Sequence, residues 1–249
     1  DDWEQANFGS HPHRRIRVIK AQRRILAGWL FISASIGCGD VTSEQQTTGS
    51  NIERLFVLRR TVWPSQDINV CWDSAGFDSE KNWVRSAVER SWSLVANVNF
   101  ANWGNCSAGS NGIRITIDDV GPHTGGLGRD IDGVVQGMVL NFTFSSWGRS
   151  CQSSSDSRGF CIRTIATHEF GHALGFAHEQ NRTDRPSTCT EPAQGEDGDF
   201  TVGSWDLNSV MNYCNPKWNG NGELSPTDIQ GAVLMYGLAP SLTLASLPS

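Results

Sequence analysis

The residues best suited to chemistry in this 249-residue chain crowd into one segment, His168-Glu169-Phe170-Gly171-His172-Ala173-Leu174-Gly175-Phe176-Ala177-His178-Glu179. Imidazole nitrogens bind metals and a carboxylate accepts protons, so the issue is whether the spacing lets them meet. On a helix, residues four apart lie one above the other, which lets His168 and His172 bind one ion. Glu169 lies about 100° around the helix from His168, within reach of a water beside that ion. Gly175 falls where the helix must stop. Glycine tolerates the left-handed backbone that turns the chain and swings His178 back as a third ligand. Three histidines leave one position open, as in catalytic zinc sites, whereas structural zinc is closed by four protein ligands. Random scattering of this chain's own His, Glu and Gly would meet the five specified positions with a probability on the order of 10⁻⁵. Chance is not the explanation.

The elements that must position these residues can be read from periodicity. A helix over residues 162–174 carries the first two histidines, with Ile162, Ala166, Phe170, Ala173 and Leu174 as an apolar face opposite the ligands. Upstream, Asp67–Trp72 alternates at period two, as a half-buried strand does. Ser79 reads as a helix cap, followed by Trp83, Val84, Ala87, Val88, Trp92 and Val95 at helical spacing. Ile113–Ile117 is a second alternating strand. Residues 134–142 are a third, and a candidate edge along which an extended peptide can lie. The Gly-rich stretch 121–133 between them reads as a loop, with His123 as one of its surface residues, the alternative being a substrate contact.

Residues 181–208 are polar and read as a long loop. Its Glu196-Asp197-Gly198-Asp199 run meets no calcium template and reads as solvated. Ser225-Pro226-Thr227-Asp228 is a helix start, with Ser as cap, Pro at the first helical position and an acid in the first turn. Ile229, Val233, Leu234 and Tyr236 supply that helix's apolar face. The order of elements predicts one α+β domain over residues 55–240, with a twisted mixed sheet, then a tail over 241–249.

Residues 1–38 read as a leader. Arg14, Arg15, Arg17, Lys20, Arg23 and Arg24 precede an apolar run over 25–36 that is too short to span a bilayer comfortably. The run ends in Ala34-Ser35-Ile36-Gly37-Cys38, a lipobox-like sequence, so Cys38 is expected to carry lipid and tether the protein to a membrane. The rival reading makes the Cys38 thiolate a zinc cap that keeps the site latent. Residues 39–54 are a polar linker. Of 20 basic and 26 acidic side chains, six and three precede residue 38, leaving a net charge of −9 beyond it. A domain that acidic is a poor nucleic-acid binder, because phosphate affinity comes from Lys and Arg. The six cysteines after Cys38 are an even set, which suits an exported, disulfide-bonded protein. Six cysteines allow fifteen connectivities, among which the sequence does not choose; the pairing favoured here is Cys151–Cys161 and Cys189–Cys214, closing loops on either side of the histidines, with Cys71–Cys106 left over. A cysteine zinc site is the rival, and the lack of any Cys-x-x-Cys pair argues against it.

The histidine spacing resembles the metzincin clan of metallopeptidases, and Ser209-Val210-Met211-Asn212-Tyr213 resembles that clan's Met-containing turn. Glu179 directly after the third His, and a Tyr two residues beyond the Met, resemble the astacin family. That family's turn typically reads Ser-Ile-Met-His-Tyr, and Asn212 departs from it. The likeness covers residues 55–240, but its specific motifs occupy only 168–179, 209–213 and the closing Leu224-Ser225-Pro226-x-Asp228.

The resemblance implies a metzincin-like catalytic domain holding one zinc ion on His168, His172 and His178. It implies that Glu169 is the general base and that Tyr213 is a hydrogen-bond donor to the oxyanion, the alternative being a packed aromatic. Met211 would be a packing floor. Glu179 would anchor the matured N-terminus, the alternative being a solvated surface charge. Protein or peptide substrates follow from the same likeness; a monomer is expected, and the leader and the cysteines point to a secreted or cell-surface location. Two other classes compete: a zinc-bearing binding module without turnover, and a surface lipoprotein whose zinc is structural. Neither needs a base at Glu169.

Expressed with its leader in a bacterium, the protein is expected to partition into detergent and to carry acyl mass on its N-terminal peptide. A Cys38→Ser variant that stays soluble and gains activity without processing would identify the thiol as a latency cap instead.

Overall fold

The computed structural model describes residues 55–245; the leader, Cys38 and the linker lie outside the described residues, as does the end of the tail. Strand β1 (Phe56–Val57) precedes β2 (Asp67–Trp72), which buries Ile68, Val70 and Trp72 as its alternation predicts. Helix α1 (Asp78–Arg90) does not start at Ser79. Its N-cap is Phe77, which follows Gly76 through two successive left-handed residues (φ 76° and 59°), and no side chain caps it. The apolar stripe runs through Val84 and Val88 to Trp92, but the helix breaks at Ser91. The Ser91 hydroxyl donates to the Ala87 carbonyl (2.8 Å), and a short α2 (Trp92–Val95) follows. Hydroxyls that bond back to a carbonyl four residues earlier commonly bend helices.

The chain continues through β3 (Asn99–Asn105), β4 (Ile113–Ile117), β5 (His123–Thr124), β6 (Met138–Leu140), α3 (Ser155–Ala173), β7 (Phe200–Thr201), α4 (Pro226–Tyr236) and α5 (Pro240–Ala245). Five strands form one mixed sheet in the order β3-β2-β4-β6-β5, and β1 pairs with β7 in a two-stranded ribbon. The pairings of β2 with β3 and β4, and of β4 with β6, are parallel, while β5 runs antiparallel to β6. The architecture is the α+β arrangement that the element order predicts.

Two expectations about the sheet need correction. Only 138–140 of the third segment is strand, because the Val134 and Gly137 amides donate to the Ile131 and Val134 carbonyls and close successive turns. Val134 and Val135 are exposed as a result. The edge on that side of the sheet is therefore not that segment but β5, which lies inside the stretch read as a loop, and β3 forms the opposite edge. The stretch 181–208 is largely irregular, as expected, but includes β7.

Helix α3 starts seven residues before the expected point, capped by Ser154, whose hydroxyl accepts the Ser157 amide (3.0 Å). The reading of one apolar face and one ligand face fails here: Ile162, Ile165, Ala166, Phe170 and Ala173 are buried, and so are Thr164, Thr167, His168, Glu169 and His172. The helix is central, with α1 packed on it, and polar donors from elsewhere satisfy its carbonyls. The Trp92 indole donates to the Thr167 carbonyl (2.8 Å), Trp63 to Ala173 (2.7 Å), and the Tyr236 hydroxyl to Leu174 (2.7 Å). The last two close carbonyls that the helix itself leaves without partners. Phe170 sits against Phe100 and Trp103, with ring centroids 5.0 and 5.7 Å away.

Helix α4 has the predicted start in full, a capping box in which Ser225 and Asp228 each accept the other's amide. Of the predicted apolar face only Tyr236 is buried, while Ile229 and Val233 are half-buried. Thr227, Asp228, Gly231, Ala232 and Tyr236 face inward while Leu234 is more than half exposed. A Cβ on Gly231 would come within 2.7 Å of Leu55, so this crossing selects small residues over large ones.

The three disulfides are Cys71–Cys106, Cys151–Cys161 and Cys189–Cys214, as expected. They suit an oxidising compartment. No helix among the described residues is long and apolar enough to cross a membrane.

Gly171 gives this packing a test. A Cβ there would overlap the Met211 sulfur and come within 3.1 Å of Trp92. Gly171→Ala improves intrinsic helix propensity but overpacks the core, so it is expected to destabilise by about 1–3 kcal/mol. Thermal unfolding should register a drop of several degrees; a rise would mean that Met211 moves aside freely.

Candidate metal centre

The three expected ligands do converge. The Nε2 atoms of His168, His172 and His178 lie 3.1 Å (168–172), 3.1 Å (172–178) and 3.3 Å (168–178) apart, and each residue is at most 7% exposed. The fold achieves this with backbone carbonyls. Nδ1 of His168 donates to the Val210 carbonyl (2.8 Å), Nδ1 of His172 to Phe176 (2.8 Å), and Nδ1 of His178 to Gln194 (2.9 Å). A carbonyl can only accept, so each Nδ1 carries the hydrogen and each Nε2 turns a lone pair toward the other two.

Burial and the neighbouring His178 push His168 down to about 3. Burial, then His178 and His168, hold His172 well below the usual range, and burial lowers His178. All three are thus held in the neutral form that binds metals. Tetrahedral zinc with bonds of about 2.0–2.1 Å separates its nitrogen ligands by about 3.3 Å, close to what these rings present. Among the described residues, this is the one group of three or more His, Cys, Asp or Glu side chains placed to hold a metal ion.

The turn of the chain after α3 is formed as the sequence predicts. Gly175 has φ 96°, and the Phe176 amide bonds back to the Gly171 carbonyl (3.0 Å). The turn is then tied to β1, because Leu58 donates to Gly175 (3.0 Å) and Ala177 to Phe56 (2.8 Å). Met211 lies under Gly171 and is fully buried. Its turn is held by Asp228 of α4, which accepts the Ser209 hydroxyl (2.6 Å), the Val210 amide (2.9 Å) and the Ser225 amide (2.9 Å). Burial pushes Asp228 up to about 6 against the pull of those donors. The sequence marks Asp228 only as part of a helix start and a closing motif. Asn212, where the resemblance expects His, is buried, donates to the Asp206 carbonyl (2.6 Å) and accepts the Cys214 amide (2.9 Å).

Glu169 is 4% exposed, on the floor of a cleft of about 300 Å³. Burial pushes its carboxyl up to about 7, and a hydrogen bond from the Thr124 hydroxyl to Oε2 (2.8 Å) pulls the other way. Thr124 belongs to β5, and no motif points to it. Beside it on β5, exposed His123 lines the same cleft, so its reading as an ordinary loop residue is corrected. Tyr213 also lines the cleft; its ring stacks on His168 (centroids 5.2 Å apart) and lies 4.5 Å from that of His178. Burial, then the Glu169 charge, raise its phenol above the usual range, so it stays a donor.

Glu179 is not a solvated surface charge. It is fully buried, accepts the Asp206 amide at Oε1 (2.9 Å) and lies 3.4 Å from the Arg182 guanidinium, while Oε2 has no hydrogen-bond partner among the described residues. Burial pushes its carboxyl up to about 8, against the pull of Arg182. The acidic run beyond the cleft does not converge: Asp197 accepts from Asn181 (2.9 Å) and Asp199 from the Arg59 amide (2.9 Å).

Known proteins resemble this chain. The zinc metalloproteinase nas-30 of Caenorhabditis elegans is 37% identical over an alignment of 86 residues, which covers 28% of this chain and 12% of that protein. The chain thus matches only a small part of the length of that curated relative. The structure of myroilysin shares the fold, with a TM-score of 0.52 and 22% identity over 72% of this chain and 97% of that one. The model of the astacin family of peptidases matches residues 57–190. On that match, which spans more than half of its length, the chain belongs to the astacin family.

Proposed function

We propose that the chain is a zinc-dependent endopeptidase that hydrolyses peptide bonds in protein substrates outside the cytosol. The observation that carries this reading is the convergence of three neutral, carbonyl-oriented imidazoles beside a buried carboxylate at the floor of an open cleft. His168, His172 and His178 would hold the ion. When bound there, zinc supplies Lewis-acid polarisation of a carbonyl and lowers the pKa of a water.

The remaining work belongs to the chain. The outer edge of β5 pairs with no other strand among the described residues, and an extended peptide adds to such an edge through main-chain hydrogen bonds. Glu169 takes the proton of the attacking water and delivers it to the leaving amine, as a carboxylate positioned beside the reacting water does. The Tyr213 hydroxyl donates to the tetrahedral oxyanion. Thr124 orients Glu169 from the strand that receives the peptide. The buried Oε2 of Glu179 is a fitting partner for the ammonium of a matured N-terminus. A binding module without turnover would have no use for Glu169 in this position.

Glu169→Gln is expected to keep zinc, measured by metal analysis, and to lose hydrolysis of a denatured protein by about 10²–10⁴-fold. Comparable cutting by variant and parent at equal zinc content would end the base assignment. Tyr213→Phe is expected to lower kcat by about 10²–10³ with KM little changed, as for an interaction made mainly in the transition state. A kcat within about twofold of the parent would return Tyr213 to a packing role.

A further inference from the structure

The cleft lining includes two acidic side chains, Glu169 and Glu196, and no Lys or Arg. Glu169 is committed to Thr124. Glu196 is exposed on the rim, and its carboxylate has no hydrogen bond or ion pair among the described residues. Its acidic neighbours are engaged: Asp197 accepts from Asn181, and Asp199 from Arg59. Glu196 is thus the acid of this run that is left facing the cleft.

The rim that carries it is braced. Asn181 holds Gln194 by both backbone groups, donating to its carbonyl (2.8 Å) and accepting its amide (3.0 Å). The same Asn181 amide nitrogen reaches Asp197 (2.9 Å). The Gln194 carbonyl also accepts from His178 Nδ1 (2.9 Å). One side chain therefore pins both flanks of Gly195-Glu196, and one pin is shared with a metal ligand. The Cys189–Cys214 disulfide ties the start of the rim to the residue after Tyr213. A cleft wall held in place leaves Glu196 only its own side-chain freedom to lose when it meets a partner, and a low ordering cost favours an ion pair that discriminates between ligands.

We propose that Glu196 selects substrates carrying a lysine or arginine next to the bond that is cut, accepting a charge-assisted hydrogen bond from the cationic head. This rests on the peptidase reading and adds a substrate class to it. An acidic residue at the same subsite meets Glu196 with no cationic side chain in the lining to offset the repulsion.

The test uses peptides of one sequence that carry Lys, Gln or Glu on either side of the scissile bond. The readout is the ratio of kcat/KM values within each enzyme, which is independent of the fraction folded. For the parent, Lys over Gln is expected to be roughly three- to tenfold at one subsite, and Glu the poorest. Glu196→Gln should bring the Lys/Gln ratio close to one, and Glu196→Arg should invert the order to favour Glu. Glu89→Gln, an equal change of net charge on α1, should leave the parent's ratio intact, which separates a local contact from a field effect.

Binding of the same peptides to the zinc-loaded Glu169→Gln variant, followed by fluorescence anisotropy, gives a second readout without turnover. Hydrolysis with the same ranking in parent and Glu196→Arg overturns the subsite and leaves the peptidase. Charge-ranked binding that Glu196→Arg inverts, with no hydrolysis by the parent, keeps the subsite and overturns the peptidase. No hydrolysis by the parent, together with binding that does not rank by charge, overturns both.

Discussion

Three imidazole lone pairs turned toward one point about 3 Å apart is an arrangement that a chain does not adopt by default, and the rest of this structure is organised around it. Each ring is oriented by a carbonyl from a different segment: the Met211 turn, the turn after α3, and the cleft rim. None of the three is free to move alone. The turn after α3 is hydrogen-bonded to β1, the Met211 turn is gripped by Asp228 from α4, and the rim is gripped by Asn181. Elements from both ends of the described chain thus converge on one centre, and partners outside the site fix how its ligands point.

The same constraint explains why the stretch of α3 that carries the ligands, residues 164–173, is buried throughout. Burial lowers the three imidazoles further, and burial needs cover: Met211 beneath, β5 on one flank, Tyr213 on another. Gly171 lets Met211 come up against the helix. The helix gives up propensity there, since glycine in a helix interior costs about 1 kcal/mol relative to alanine, and gains a close floor. Aromatic donors at Thr167, Ala173 and Leu174 then satisfy the carbonyls of a helix that meets little solvent.

The triad and its glycine turn are legible in the sequence because each depends on side-chain identity at fixed spacing, and the Met211 turn is legible through the family likeness; the disulfide pairing is not fixed by spacing, since six cysteines allow fifteen connectivities. What orients the triad is not. Val210, Phe176 and Gln194 act through their carbonyls, which every residue has, so no residue type marks them. Thr124 sits on a two-residue strand, too short for alternation to reveal. The buried face of α4 escapes periodicity because its crossing over Leu55 demands Gly231 and Ala232, whereas apolar spacing picks out the largest residues. The start of α1 escapes it because a Gly-Phe turn stands where a Ser cap is usual.

The short strand β5 runs against the four parallel strands beside it. A peptide that pairs with β5 in the antiparallel sense therefore travels in the same direction as those four. In that pairing the order of residues along the peptide counts as much as their identity. A retro-sequence with the same composition would then bring different side chains to Glu196 and Tyr213.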